Sequence, residues 1–154
     1  MSNAEPLTIN EVYTYLRVHD SAQALDFYAR AFDAKEVFRL TAADGKIGHA
    51  QTRIGPVIVM LSDEYPDYGI VSPRTLGGTS FSLHVHTNDV DRLFAKTLAA
   101  GATVVRPLEN TFHGERLGLV RDPFGHEWLL GGEIEQVTVE EMQQRYTDIT
   151  TKGA

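Results

Sequence analysis

An order of strand, helix and three strands occurs twice in the chain, and this repetition restricts the fold more than any other feature of the sequence. Val12-Tyr-Thr-Tyr-Leu-Arg-Val18 alternates β-branched and aromatic types with others and reads as a strand. Asp20 or Ser21 then caps a helix carrying Ala24, Leu25, Phe27, Tyr28, Ala31 and Phe32 at helical spacing. Strands follow at 36–40, 47–54 and 57–61, with turns at Asp44-Gly45 and Gly55-Pro56. After a Pro- and Gly-rich stretch at 63–78 the pattern restarts with Phe81-Ser-Leu-His-Val-His86. Asn88 or Asp89 caps a second helix with Val90, Leu93, Phe94, Thr97 and Leu98 on one face, stopped by Gly101. Strands are expected at 102–105, 117–120 and 127–130, and Thr138 with Glu141 forms a capping box for a helix over 139–146. An offset of 69 residues carries Tyr13 onto Ser82, Asp20 onto Asp89, Leu25 onto Phe94 and Met60 onto Leu129.

These elements predict one α+β domain spanning 1–154. It comprises a first βαβββ module at about 10–62, a linker at 63–78, a second module at about 79–131 and a tail at 132–154 with a short C-terminal helix. Both modules are expected to place their helices on the convex sheet faces. No apolar run approaches the ~18 residues of a membrane helix, so no membrane association is expected. Met1 to Pro6 have neither a basic region nor an apolar stretch, so no signal peptide is expected either. The absence of cysteine removes disulfides and thiolate chemistry and accords with a cytoplasmic location. With a net charge of −7 and scattered basic residues, nucleic acid is not expected as a partner.

Two βαβββ modules, a helix-entry Asp in each, Phe27-Tyr28 in the first helix and Asp122-Pro123-Phe124-Gly125-His126 before the last strand resemble the vicinal oxygen chelate superfamily. This group holds glyoxalases, bleomycin-resistance proteins and extradiol dioxygenases. The resemblance covers about residues 10 to 131, and Trp128 with the acidic stretch after it is similar to a bacterial subgroup. It implies that each sheet curls into an incomplete barrel around a cleft, that the chain pairs as a homodimer, and that four side chains hold a divalent metal. Those four places fall on Tyr13, Met60, Ser82 and Leu129. Met favours soft metals, Ser is a poor ligand unless deprotonated, and Leu offers no lone pair. The expectation is therefore no metal and no cofactor at the family's site.

Strand alternation sets Ser82, His84 and His86 on the cleft face, with Phe81, Leu83 and Val85 beneath the helices. The same parity gives Tyr13, Tyr15 and Arg17 on the first strand, Met60 on the fourth, and Glu127 and Leu129 on the last. Arg116, in the Phe112-His113-Gly114-Glu115-Arg116 loop, is a candidate clamp for an anionic ligand or a charge-balanced surface residue. These ten residues describe either an aromatic-walled small-molecule pocket or a collapsed cleft whose side chains satisfy one another. His84 and His86 with Glu127 opposite also have the composition of a two-histidine, one-carboxylate metal triad. His19, His49, His113 and His126 read as structural or surface residues, and Trp128 as core.

Three functions compete on this reading. The first is a metal-free small-molecule-binding protein, like the drug-sequestering members of the superfamily. The second is a lyase or isomerase using His and Arg acid-base chemistry. The third is a metal enzyme with ligands at non-standard places. The missing family ligands favour the first.

Overall fold

In the computed structural model, which describes residues 3–152, the two repeats form two four-stranded sheets of identical topology. The first contains β1 (Thr14–Val18), β2 (Lys35–Thr41), β3 (Ile47–Ile54) and β4 (Val57–Asp63) in the order β1-β4-β3-β2. The second contains β5 (Ser82–His86), β6 (Thr103–Asn110), β7 (Glu115–Arg121) and β8 (Glu127–Glu133) in the order β5-β8-β7-β6. In each, the first and last strands run parallel and the remaining pairs are antiparallel hairpins. Such a parallel pair requires a crossover, supplied by α1 (Ser21–Phe32) in module one and α3 (Val90–Ala100) in module two.

Both crossover helices start where a carboxylate meets free backbone donors. Asp20 accepts from Gln23 N and Asp89 from Arg92 N, satisfying groups that no helical carbonyl reaches. The linker is more ordered than the Pro and Gly content suggests. It contains a 3-10 turn at Pro66–Tyr68 and α2 (Pro73–Leu76), capped by Ser72, because proline at the first helical position costs no hydrogen bond. The last helix, α4 (Val139–Lys152), runs six residues past the expected end. Half of the expected capping box forms: Glu141 N donates to Thr138 Oγ1, while the Glu141 carboxylate pairs with Arg145.

The core lies where the helix layers of the two modules meet. Leu16, Val18, Val59, Leu61, Trp128 and Leu130 are buried, and α1 packs across the module boundary. The Phe32 ring sits 4.6 Å from Trp128, and Phe27 lies edge-on to Phe124 at 6.3 Å. Asp122 ties this boundary together. Its Oδ2 accepts from Tyr28 Oη and Trp128 Nε1, while its Oδ1 accepts from Phe124 N and His126 N. His126 then bridges back to module one through the Arg17 carbonyl, 2.9 Å from Nε2.

Candidate functional site

The parity of β5 follows the sequence expectation. Leu83 and Val85 pack against the core cluster, while Ser82, His84 and His86 are exposed on the opposite face. Their register partners on β8 are Glu127, Leu129 and Gly131, and those on β7 are Arg121, Leu119 and Leu117. Arg106 on β6 lies opposite Leu119. These residues form the open face of the second sheet.

On that face lies a recess of about 400 Å³ with Leu117, Leu119 and Leu129 as its floor and Phe112, His113 and Arg106 around it. Leu119 is buried yet stands outside the core cluster, and it lines the recess. The Arg106 guanidinium has no hydrogen-bond or ion-pair partner among the described residues. Beside Leu129, His84 and His86 stand with ring centroids 4.9 Å apart, and His86 Nε2 contacts Glu115 Oε1. His113 Nδ1 lies 3.6 Å from the other oxygen of Glu115. A larger groove, of about 670 Å³, follows the free edge of β5 and is walled by core-facing Phe32, Leu83, Val85, Leu93 and Trp128. Ser82, His84 and His86 line it too, beside apolar side chains of the seam between modules, whereas the recess lies wholly on the open sheet face beside the unpaired Arg106.

Other predicted residues are placed differently. Tyr15 and Met60 share the open face of the first sheet, where Tyr15 Oη lies 2.8 Å from His49 Nδ1. His49 Nε2 in turn lies 3.1 Å from Gln51 Nε2. Tyr13, Tyr15, Phe38 and Leu40 are 44%, 46%, 41% and 60% exposed, which makes that sheet face apolar and open. Among the described residues no hydrogen bond, ion pair or ring contact joins Tyr13, Tyr15 or Arg17 to His84 or His86.

Two expectations need correction. Glu127 does not complete a triad with the histidines; its carboxylate accepts from Arg121 at 2.8 Å. Arg116 is not a loop clamp either, but follows its other reading as a charge-balanced residue, paired with Asp91. β7 begins at Glu115, so Arg116 alternates to the helix side, where it donates to Asp91 Oδ1 at 3.0 Å and to Asn110 Oδ1 at 3.1 Å. The hydrogen bond and opposite charge hold the Asp91 carboxyl below its usual range. Glu115, Arg106 and His113 were the residues that sequence reasoning missed. Extending the Leu117-Leu119 alternation two residues back puts Glu115, not Arg116, on the open face.

The glyoxalase/bleomycin resistance protein/dioxygenase superfamily model matches residues 8–130. The chain belongs to that superfamily. An uncharacterized protein of Mycobacterium bovis is 46% identical over 132 residues, covering 84% of this chain and 87% of the relative. The crystal structure of TioX from a Micromonospora species superposes with a TM-score of 0.61 at 32% identity, over 84% of this chain and 100% of that one. A FosX fosfomycin resistance protein of Listeria monocytogenes, solved with manganese(II) and a dihydroxypropylphosphonic acid, shares the fold alone. Its TM-score is 0.63 at 17% identity, over 90% of this chain and 99% of that one.

The superfamily's metal does not fit the four places at which the sequence resemblance would put its ligands. Leu129 is a floor residue of the recess, Ser82 lies opposite Glu127, and Met60 lies opposite Tyr15 on the other sheet. Tyr, Met, Ser and Leu together are not a donor set for a borderline divalent ion.

Proposed function

We propose that this superfamily member is a small-molecule-binding protein that works without a metal at the superfamily's usual position, and that its ligand is an apolar, preferentially aromatic, anion. The observation that carries this reading is the recess on the second sheet. Three leucines floor it, Phe112 supplies an aromatic wall, and an unpaired guanidinium stands at its rim. Apolar floors with a few convergent polar groups are the usual construction of small-molecule sites. An unpaired Arg beside such a floor is suited to a carboxylate, sulfonate or phosphonate, whose two oxygens match its fork. A volume of about 400 Å³ lies within the ordinary range for such pockets.

The support for binding over catalysis lies in the leucine floor and the unpaired guanidinium of the recess, which Glu109 and His113 also line. The superfamily that the sequence resembles includes drug-sequestering proteins, and a recess of this construction suits such a role. We also propose a homodimer. The open apolar face of the first sheet, with Tyr13, Tyr15, Phe38 and Leu40, is supported as an interface by its exposure in the single chain.

The experiment is calorimetric titration of metal-stripped protein with 1-naphthoate and with neutral 1-naphthalenemethanol. Wild type is expected to bind naphthoate more tightly. Arg106→Gln should weaken naphthoate by about tenfold, the order expected for one exposed charge-assisted hydrogen bond, and leave the alcohol unchanged. Equal binding of both probes by both proteins would overturn the assignment of Arg106 as the anion contact.

A further inference from the structure

His84 and His86 occupy alternate positions of β5 and so project from one face, and β7 brings Glu115 to the same face across β8. One ligating atom from each of the three lies within 4.8 Å of the other two. That separation suits three donors around a single ion, because bonds of ~2.0–2.2 Å put neighbouring ligand atoms roughly 3 Å apart and small rotations close the difference. We propose that His84, His86 and Glu115 form a site for a borderline divalent transition-metal ion, displaced from the superfamily's four usual places. The inference goes beyond the ligand-binding reading and does not depend on it.

The donor chemistry is specific. Two neutral imidazoles and one carboxylate select zinc, cobalt, nickel or ferrous iron over magnesium and calcium, which favour oxygen. His84 makes no hydrogen bond within the described residues, so both of its nitrogens are available. The room for its ring is built into β8. A Cβ on Gly131 would come within 3.2 Å of His84 Nε2 and 2.4 Å of Leu117 Cδ2. Glu115 is partly shielded, its side chain 18% exposed, which fixes it more firmly than a surface carboxylate. Its second oxygen faces His113 at 3.6 Å, a supporting contact that orients the carboxylate without ligating. His86 is 56% exposed, so the ion's remaining positions open to solvent and to whatever occupies the neighbouring recess.

An ordinary His86–Glu115 ion pair would account for two of these residues and would not involve His84. The test separates the two cases. Untagged, chelator-treated protein is titrated with cobalt(II) under absorption spectroscopy, and then with zinc(II) in competition. One cobalt ion per chain, with visible ligand-field bands lost on zinc addition, is expected. His84→Gln and Glu115→Gln should each lower zinc affinity beyond the ~10–100-fold typical of supporting residues, whereas His113→Gln should stay within that range. His49→Gln, on the other sheet, should change nothing. Far-UV circular dichroism checks the fold of each variant, and the exposed His84 makes its substitution the safest. Failure of wild type to bind one ion would overturn the site, as would retention of wild-type affinity by His84→Gln. Either result leaves the metal-free naphthoate titration standing.

Discussion

Asp122 joins parts of the chain that are far apart in sequence. Tyr28 lies 94 residues upstream of it, and the phenol donates to its buried carboxyl at 2.7 Å. Burial is the main reason that the Tyr28 pKa rises well above its ordinary value near 10; the neighbouring carboxylate and the hydrogen bond add to it. Between pH 10 and the raised folded value, the unfolded chain loses the phenol proton while the folded chain keeps it. Stability is therefore present in full below pH 10 and falls above it, by up to about 1.4 kcal/mol per pH unit from this group. Tyr28→Phe should cost about 1–3 kcal/mol near neutrality, since it strips a donor from a buried acceptor. Its deficit should shrink above pH 10, and urea unfolding of both proteins at pH 7.5, 10 and 11 measures this. A deficit that grows with pH would contradict the Tyr28–Asp122 assignment. The Asp-Pro-Phe-Gly turn made Asp122 conspicuous in the sequence, but its partners were not legible there, because a turn motif does not show which helix it will meet. At the site, His84 and His86 were legible from strand parity. Glu115 was not, because the expected strand began at Leu117 and left the two preceding residues in a loop.

At the scale of elements, close approach decides where β7 sits. A Cβ on Gly118 would come within 2.6 Å of the Phe94 ring of α3 and 3.0 Å of Leu108 Cδ2. Gly118→Ala forces the helix and strand apart and should cost about 1–3 kcal/mol in chemical unfolding, the range for overpacked cores. An unchanged midpoint would mean that α3 does not press on the strand this closely. β6 runs to Asn110, beyond the expected 102–105, with register shifts around Arg106 that accommodate Pro107. Arg and Pro together read as a break, yet bulges let a strand carry a residue that cannot donate to its neighbour. That extension is what puts Arg106 opposite Leu119 at the recess. The last helix packs on its own chain. Tyr146 stacks on Phe112 at 5.6 Å, and Arg145 bonds the Phe112 carbonyl and Glu135. The wall of the recess is thus braced by the C-terminal helix.

For the whole molecule, the duplication was the legible part, since each repeat carries its own capping Asp and its own strand periodicities. How the repeats meet was not legible, because the α1 residues that contact module two have the same helical spacing as any core face. The chain is expected to form a dimer by light scattering at micromolar concentration, and Tyr15→Glu with Phe38→Glu should return it to monomer by placing unpaired charge on the proposed interface. A monomeric wild type would refute the assembly without touching the recess.

Ligand occupancy of the recess can be read residue by residue with methyl-resolved nuclear magnetic resonance. With metal-stripped protein and 1-naphthoate, the methyl resonances of Leu117, Leu119 and Leu129 should shift together and saturate with one affinity. Those of Leu83, Val85 and Leu93, which wall the groove along β5, should stay in place. Shifts confined to the β5 groove, or to Leu40 and Met60 on the first sheet, would contradict the recess as the ligand site.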